Sequence, residues 1–176
     1  MKLHDKEFEE YIPHEVIERK ITQITNRLLE EKFDKPIVFL SILNGSFMFT
    51  AQLLKSYNLP CEVYFFRVTS YSGTSSSGQF KVSADLDSFD LKNKTVIILE
   101  DIVDTGNTIE LIHSLLKDRQ IEDIRVISLL FKPSVYKKKI VIYDYCFSIP
   151  DKFVIGYGLD YNQLGRNLPD IYKIKE

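Results

Sequence analysis

Two apolar rhythms alternate along the chain. Val16, Ile17, Ile21, Ile24, Leu28 and Leu29 recur at the spacing of one helical face, so a helix of about five turns is predicted from Pro13 and His14 to Lys32. Residues 37–43 instead form an apolar run interrupted by one serine, which suits a strand covered on both faces of a parallel sheet. Strand and helix then take turns. A helix is predicted over 46–57, a strand over 61–68, a strand beginning at Val96, a helix through Ile109, Ile112, Leu115 and Leu116 to Lys117, and a strand over 124–131. Later strands are predicted at 143–147 and 153–157. This order predicts an α/β fold, a doubly wound parallel sheet that binds ligands at the carboxyl ends of its strands. No internal repeat is visible.

Chemistry concentrates where the strand at Val96 ends. In VIILEDIVDTGNTI, residues 96–109, an apolar run leads into three carboxylates, a glycine between hydroxyl residues, and then a helical stripe. A loop entering a helix presents free backbone N–H groups and the positive end of the helix dipole, a setting that favours phosphate at Thr105, Gly106, Asn107 and Thr108. Glu100, Asp101 and Asp104 would repel that anion unless engaged elsewhere, and sugar hydroxyls or Mg2+ are suitable partners. Side chains alternate along a strand, so adjacent Glu100 and Asp101 suit neighbouring ribose hydroxyls better than bidentate capture of one ion. Asp104 lies beyond them in the loop, available as a proton acceptor. A Walker phosphate loop is excluded, because Asn107 stands where its lysine is needed and Asp101 where its first glycine is needed. An acidic helix start capped by Thr105 or Thr108 is the plainer alternative.

The segment LEDIVDTGNT resembles the phosphoribosyl diphosphate signature of the type I phosphoribosyltransferases, most closely their hypoxanthine-guanine branch. The likeness extends through ILNGSFMF (42–49), the Ser-Tyr pair and polar loop at 70–78, LLFKPSVY (129–136) and PDKFVIGYGLDYNQLGR (150–166). It implies a small hood built from the chain termini and a mobile lid opened by Ser70 and Tyr71. It also implies a Mg2+-dependent enzyme that joins a 6-oxopurine to phosphoribosyl diphosphate, releasing a purine nucleoside monophosphate and diphosphate. Residue by residue, Asp104 resembles the general base, and Asn44, Gly45 and Arg166 the diphosphate-binding groups. Lys132 resembles the lysine that reads the 6-oxo group, Phe153 the aromatic stacked on the purine, and Val154 the residue whose backbone reads the base edge. Asp160, with Glu100 and Asp101, falls on the metal side. One departure is plain: Asn44 stands where the family often carries lysine in a cis peptide, so that side chain offers no cation. Taken alone, Asn44-Gly45 also reads as a hairpin turn, Lys132 as a solvated strand end, Phe153 as core, Asp160 and Arg166 as surface charges, and SGTSSSG (72–78) as a linker.

Composition narrows the picture modestly. With 176 residues, 44% of them hydrophobic and 27% charged, the chain suits one globular domain spanning residues 1–176. A net charge of −2 argues against a nucleic-acid surface. Cys61 and Cys146 are too far apart in sequence to suggest a disulfide framework or metal spacing, the charged start MKLHDKEFEE does not read as a signal peptide, and no apolar run reaches membrane length; a cytoplasmic enzyme is expected. His4, His14 and His113 lack partners at metal or triad spacing and read as structural or solvated. The family forms homodimers and homotetramers, so self-association is expected as well.

Overall fold

The computed structural model describes residues 1–70, 80–82 and 86–175. In chain order the elements are β1 (Lys2–Leu3), β2 (Lys6–Ile12), α1 (His14–Glu30), β3 (Ile37–Leu43), α2 (Phe47–Ser56), β4 (Glu62–Ser70), β5 (Phe80–Val82), β6 (Thr95–Val103), α3 (Asn107–Asp118), β7 (Ile124–Phe131), β8 (Asp144–Ser148), β9 (Val154–Ile155) and β10 (Ile171–Ile174). The main sheet has the order β5-β4-β3-β6-β7-β8. Its five strands from β4 to β8 pair in parallel, and β5 adds an antiparallel edge.

Both faces of this sheet are covered, which explains the unbroken apolar runs. Ile37 and Phe39 of β3 with Ile97 and Leu99 of β6 pack toward Ile17, Ile21, Ile24, Phe49 and Leu53 of α1 and α2. Val38, Leu40, Val96 and Ile98 face the other way, onto Ile109, Ile112 and Leu116 of α3. The chain leaves β3 toward β4 through α2 and leaves β6 toward β7 through α3, so the loops after β3 and β6 diverge. Between them lies the crevice of an open α/β sheet.

The two termini build a second, four-stranded sheet, β1-β2-β10-β9, the expected hood. The apolar pattern did not reveal β1, β2 or β10. In β2 the charged stretch KEFEEYI buries Phe8 and Ile12, four residues apart, a spacing that reads as helix rather than strand. The strand predicted at 153–157 shrinks to Val154–Ile155, because Gly156, Tyr157 and Gly158 all take positive φ (+95°, +49° and +102°) and turn the chain. The start of α1 is held from the far end of the sequence: the His14 backbone N–H donates to Asp170 Oδ1 at 2.8 Å, and the His14 ring lies 3.1 Å from the same oxygen. Among the described residues no helix is long and apolar enough to cross a membrane.

Candidate active site

The crevice between β3 and β6 brings three loops together. The first follows β3. The peptide bond before Asn44, between Leu43 and Asn44, is cis. Behind this turn lies a buried polar chain, in which Ser41 Oγ is 2.8 Å from Ser46 Oγ and 2.7 Å from Thr50 Oγ1, while Ser46 Oγ donates to the Ile42 carbonyl. These bonds tie the loop to both β3 and α2, so Asn44 and Gly45 sit on a fixed support.

Gly45 fits because it has no side chain. A Cβ there would stand 1.5 Å from Asp101 Oδ2, and one on Gly158 would stand 1.9 Å from the Gly45 carbonyl oxygen. The Gly45 backbone thus lies against Asp101 on β6 and against Gly158 in the third loop, after β9. Arg166 completes this side: Nη1 donates to the Gly158 carbonyl at 2.8 Å and Nη2 pairs with Asp160 Oδ1 at 2.5 Å. Asp160 also accepts from the Gln163 backbone N–H at 2.7 Å. Arg166 and Asp160 are therefore mutual partners at the crevice rather than isolated surface charges.

Glu100 and Asp101 lie within β6, which continues to Val103 beyond the strand end expected for them. Burial pushes the Glu100 carboxyl well above its usual range, reinforced by the Asp101 charge beside it. Asp101 is also raised by burial, with partial relief from the Ile102 backbone N–H that donates to its Oδ1 at 2.9 Å. Glu100 Oε2 is buried without a hydrogen-bond partner among the described residues. An acceptor left this way suits a hydroxyl donor or a cation. No three His, Cys, Asp or Glu side chains converge as a ready metal cage among the described residues, so Glu100, Asp101 and Asp160 do not form one by themselves.

Further along the second loop, Gly106 takes φ +82° and starts α3, with no side-chain cap on the helix among the described residues. The first turn of α3 therefore keeps backbone donors for an anion, and capping by Thr105 or Thr108 is absent. A cavity of about 370 Å³ beside this loop is lined by Thr105, Asn107, Ser134, Val135, Lys137 and Lys138.

Lys132 follows β7 and is buried, contrary to a solvated strand end. Its Nζ donates to Asp104 Oδ2 at 3.0 Å and to Asp151 Oδ1 at 2.9 Å. Asp104 is accordingly ion-paired, where the sequence suggested a free carboxylate. Burial alone would lower the Lys132 pKa, but the bonds to Asp151 and Asp104 outweigh it and raise the pKa above the usual lysine value. Phe153 is 44% exposed, not core, and sits near Phe8 and Tyr161 with ring centroids 6.3 and 5.7 Å away. Val154 is buried and pairs with Lys173 of β10. Ser70 ends β4, while Tyr71 and the rest of the expected lid lie outside the described residues.

Two site residues escaped the sequence reading. Asp151 lay inside the segment 150–166 but drew no role there, and Arg67 lay in an ordinary strand. In the fold, Arg67 aligns with Leu43 in the β3–β4 register, and its Nη2 donates to Asn44 Oδ1 at 2.7 Å. A cation therefore does stand at the Asn44 turn, supplied by the neighbouring strand.

The chain is similar to known proteins over most of its length. The phosphoribosyl transferase domain family matches residues 7–162. A hypoxanthine-guanine phosphoribosyltransferase of Staphylococcus aureus is 37% identical, with 98% of this chain and 97% of that protein aligned. A crystal structure of a hypoxanthine phosphoribosyltransferase from the same species superposes with a TM-score of 0.86 at 38% identity, covering 95% of this chain and 91% of that one. The Trypanosoma cruzi hypoxanthine phosphoribosyltransferase in complex with its product IMP gives 0.85 at 31% identity, covering 99% and 97%. Matched by that family over most of its length and by these relatives at 31–38% identity, the chain belongs to the phosphoribosyltransferase family, in the hypoxanthine-guanine branch.

Proposed function

We propose that this protein transfers the 5-phosphoribosyl group from phosphoribosyl diphosphate to hypoxanthine, and also to guanine, giving IMP or GMP and diphosphate in purine salvage. The reading rests chiefly on one observation: the Asn44-Gly45 turn, the Glu100-Asp101 pair and the uncapped start of α3 meet at the point where the sheet reverses its strand order. In this reading backbone donors from Thr105 to Thr108 hold the 5'-phosphate, and Glu100 and Asp101 engage the ribose hydroxyls. Asn44, Gly45 and Arg166, with Arg67 beside them, face the departing diphosphate, where a guanidinium fork matches phosphate oxygens. Phe153 stacks on the purine while the Val154 backbone reads its edge. Lys132 donates to the 6-oxo group, and Asp104 accepts the proton from N7. Ser70 and Tyr71 shield the reacting centre from water.

Mg2+ fits the donors present, because it is commonly held by one or two carboxylates together with substrate phosphates rather than by a complete protein cage. Glu100 and Asp101, with Asp160 on the diphosphate side, would hold it, and when bound it supplies Lewis-acid stabilisation of the leaving oxygens. A cytoplasmic location and a homodimer or homotetramer belong to the same proposal; the unpaired thiols of Cys61 and Cys146 fit a reducing compartment. The test is a spectrophotometric assay with phosphoribosyl diphosphate, Mg2+ and each of hypoxanthine, guanine, xanthine and adenine. Hypoxanthine turnover with adenine rejected supports the reading, and equal or better use of adenine refutes the base assignment.

A further inference from the structure

We infer that Asp151 is a positioning residue for proton transfer: it holds the Lys132 ammonium and keeps that buried charge compensated when Asp104 takes up the purine proton. The inference rests on the reading of Asp104 as the base. Its structural ground is the bridge through one nitrogen, with Lys132 Nζ 3.0 Å from Asp104 Oδ2 and 2.9 Å from Asp151 Oδ1. Lys132 is only 6% exposed, and its backbone N–H is fastened to the Val103 carbonyl at 2.9 Å, so the ammonium stays beside these two carboxylates, with its third N–H left for the 6-oxo group. Asp151 comes from the turn between β8 and β9, a different element from either of the groups it serves.

The charges determine its role. In the reaction the N7–H bond breaks, its electron pair stays in the purine ring, and the proton forms an O–H bond on Asp104. N9 bonds to C1' as the C1'–O bond breaks, and that pair leaves on the diphosphate. Around Lys132 the groups change from two carboxylates and one ammonium to one of each. With Asp151 present, the end state is a neutral ion pair. Without it, the end state is a buried lysine cation beside a neutral acid, and a buried charge without a partner is strongly disfavoured. Loss of Asp151 would also leave Asp104 as the one carboxylate of this bridge on Lys132. The charged groups facing the ammonium are Asp104, from the loop after β6, and Asp151; Glu100 and Asp101 lie farther back on β6, and Lys152 adjoins Asp151 in its turn.

Asp151→Asn tests this, because it keeps the size and a hydrogen-bond acceptor while removing the charge. The expected result is a fall in kcat of about tenfold, with the acid limb of the kcat/KM profile moved to lower pH by about one unit, the shift equivalent to a tenfold change in equilibrium. Asp151→Glu should restore most of the rate. In an Asp104→Asn background, Asp151→Asn should add little further loss, since the step it supports is already gone. If Asp151 only orders the turn before Phe153, Asp151→Asn would raise the KM for hypoxanthine or lower Tm but leave the acid limb in place, and the inference fails. Near-normal turnover by Asp104→Asn alone would instead overturn the base assignment itself, so the two failures are distinguishable.

Discussion

Gly158→Ala offers a controlled test of the three-loop junction, because Gly165 supplies a matched reference. Both glycines take φ +102°, so alanine at either position carries similar backbone strain, about 1–3 kcal/mol. They differ in what the new methyl group meets. At Gly165 the nearest atom is Leu3 Cδ1 at 3.4 Å, an ordinary contact. At Gly158 it is the Gly45 carbonyl oxygen at 1.9 Å, whereas real Cβ contacts scarcely fall below 3.0 Å. The two backbones must separate by about 1 Å, and overpacking of this kind adds about 1–3 kcal/mol. Gly45 is itself close-packed, because Asp101 Oδ2 stands where its Cβ would be. A displacement of that size at a positioning loop can cost about 100-fold in rate. Thermal unfolding and steady-state kinetics on both variants measure the difference. Each should lower Tm, Gly158→Ala by more, and it alone should lose about 100-fold in kcat/KM for phosphoribosyl diphosphate. Equal kinetics for the two variants would refute the view that the Gly45 turn depends on its contact with Gly158.

Other perturbations address separate parts of the site. Asp104→Asn should reduce turnover by about 100- to 10,000-fold while IMP affinity changes little, measured by single-turnover kinetics and calorimetry, because backbone donors rather than this carboxylate are assigned to the phosphate. Arg67→Gln should raise the KM for phosphoribosyl diphosphate by about tenfold and leave that for hypoxanthine nearly unchanged, the selectivity expected of a charge-assisted bond on the diphosphate side. His14 is raised by its bond to Asp170, and Asp170 is lowered first by the His14 backbone N–H and then by its ring. The contribution of this pair is therefore complete between about pH 4 and pH 6.5, the unfolded-state values, and is lost as pH rises through the raised His14 value or falls through the depressed Asp170 value. His14→Gln should accordingly lower Tm at pH 5.5 and have a smaller effect at pH 8.5; an equal deficit at both would show that the charge plays no part.

What could be read in the sequence was whatever local pattern encodes. The apolar runs of β3, β6 and β7 identified a sheet covered on both faces, since burial on two sides removes the polar alternation that exposure would leave. The order of carboxylates, glycine and hydroxyls in 100–108 marked the loop, because a strand end followed by a helix start has the same chemistry wherever it occurs. Tertiary structure decided the rest, each time by joining residues distant in sequence. Asp170 holds the start of α1 from 156 positions away, Arg67 brings a guanidinium to Asn44 across a strand pair, and Asp151 reaches Lys132 from the far side of β8. Gly158 owes its identity to the Gly45 backbone and Gly45 to the Asp101 carboxylate, contacts between distant segments that no local pattern records. The hood strands were hidden for a related reason: β2 is mostly charged, and its Phe8 and Ile12 find a core only once the two ends of the chain have met. Periodicity reports which way a residue faces along its own element, while partners, charge pairing and steric limits depend on which elements the fold brings together.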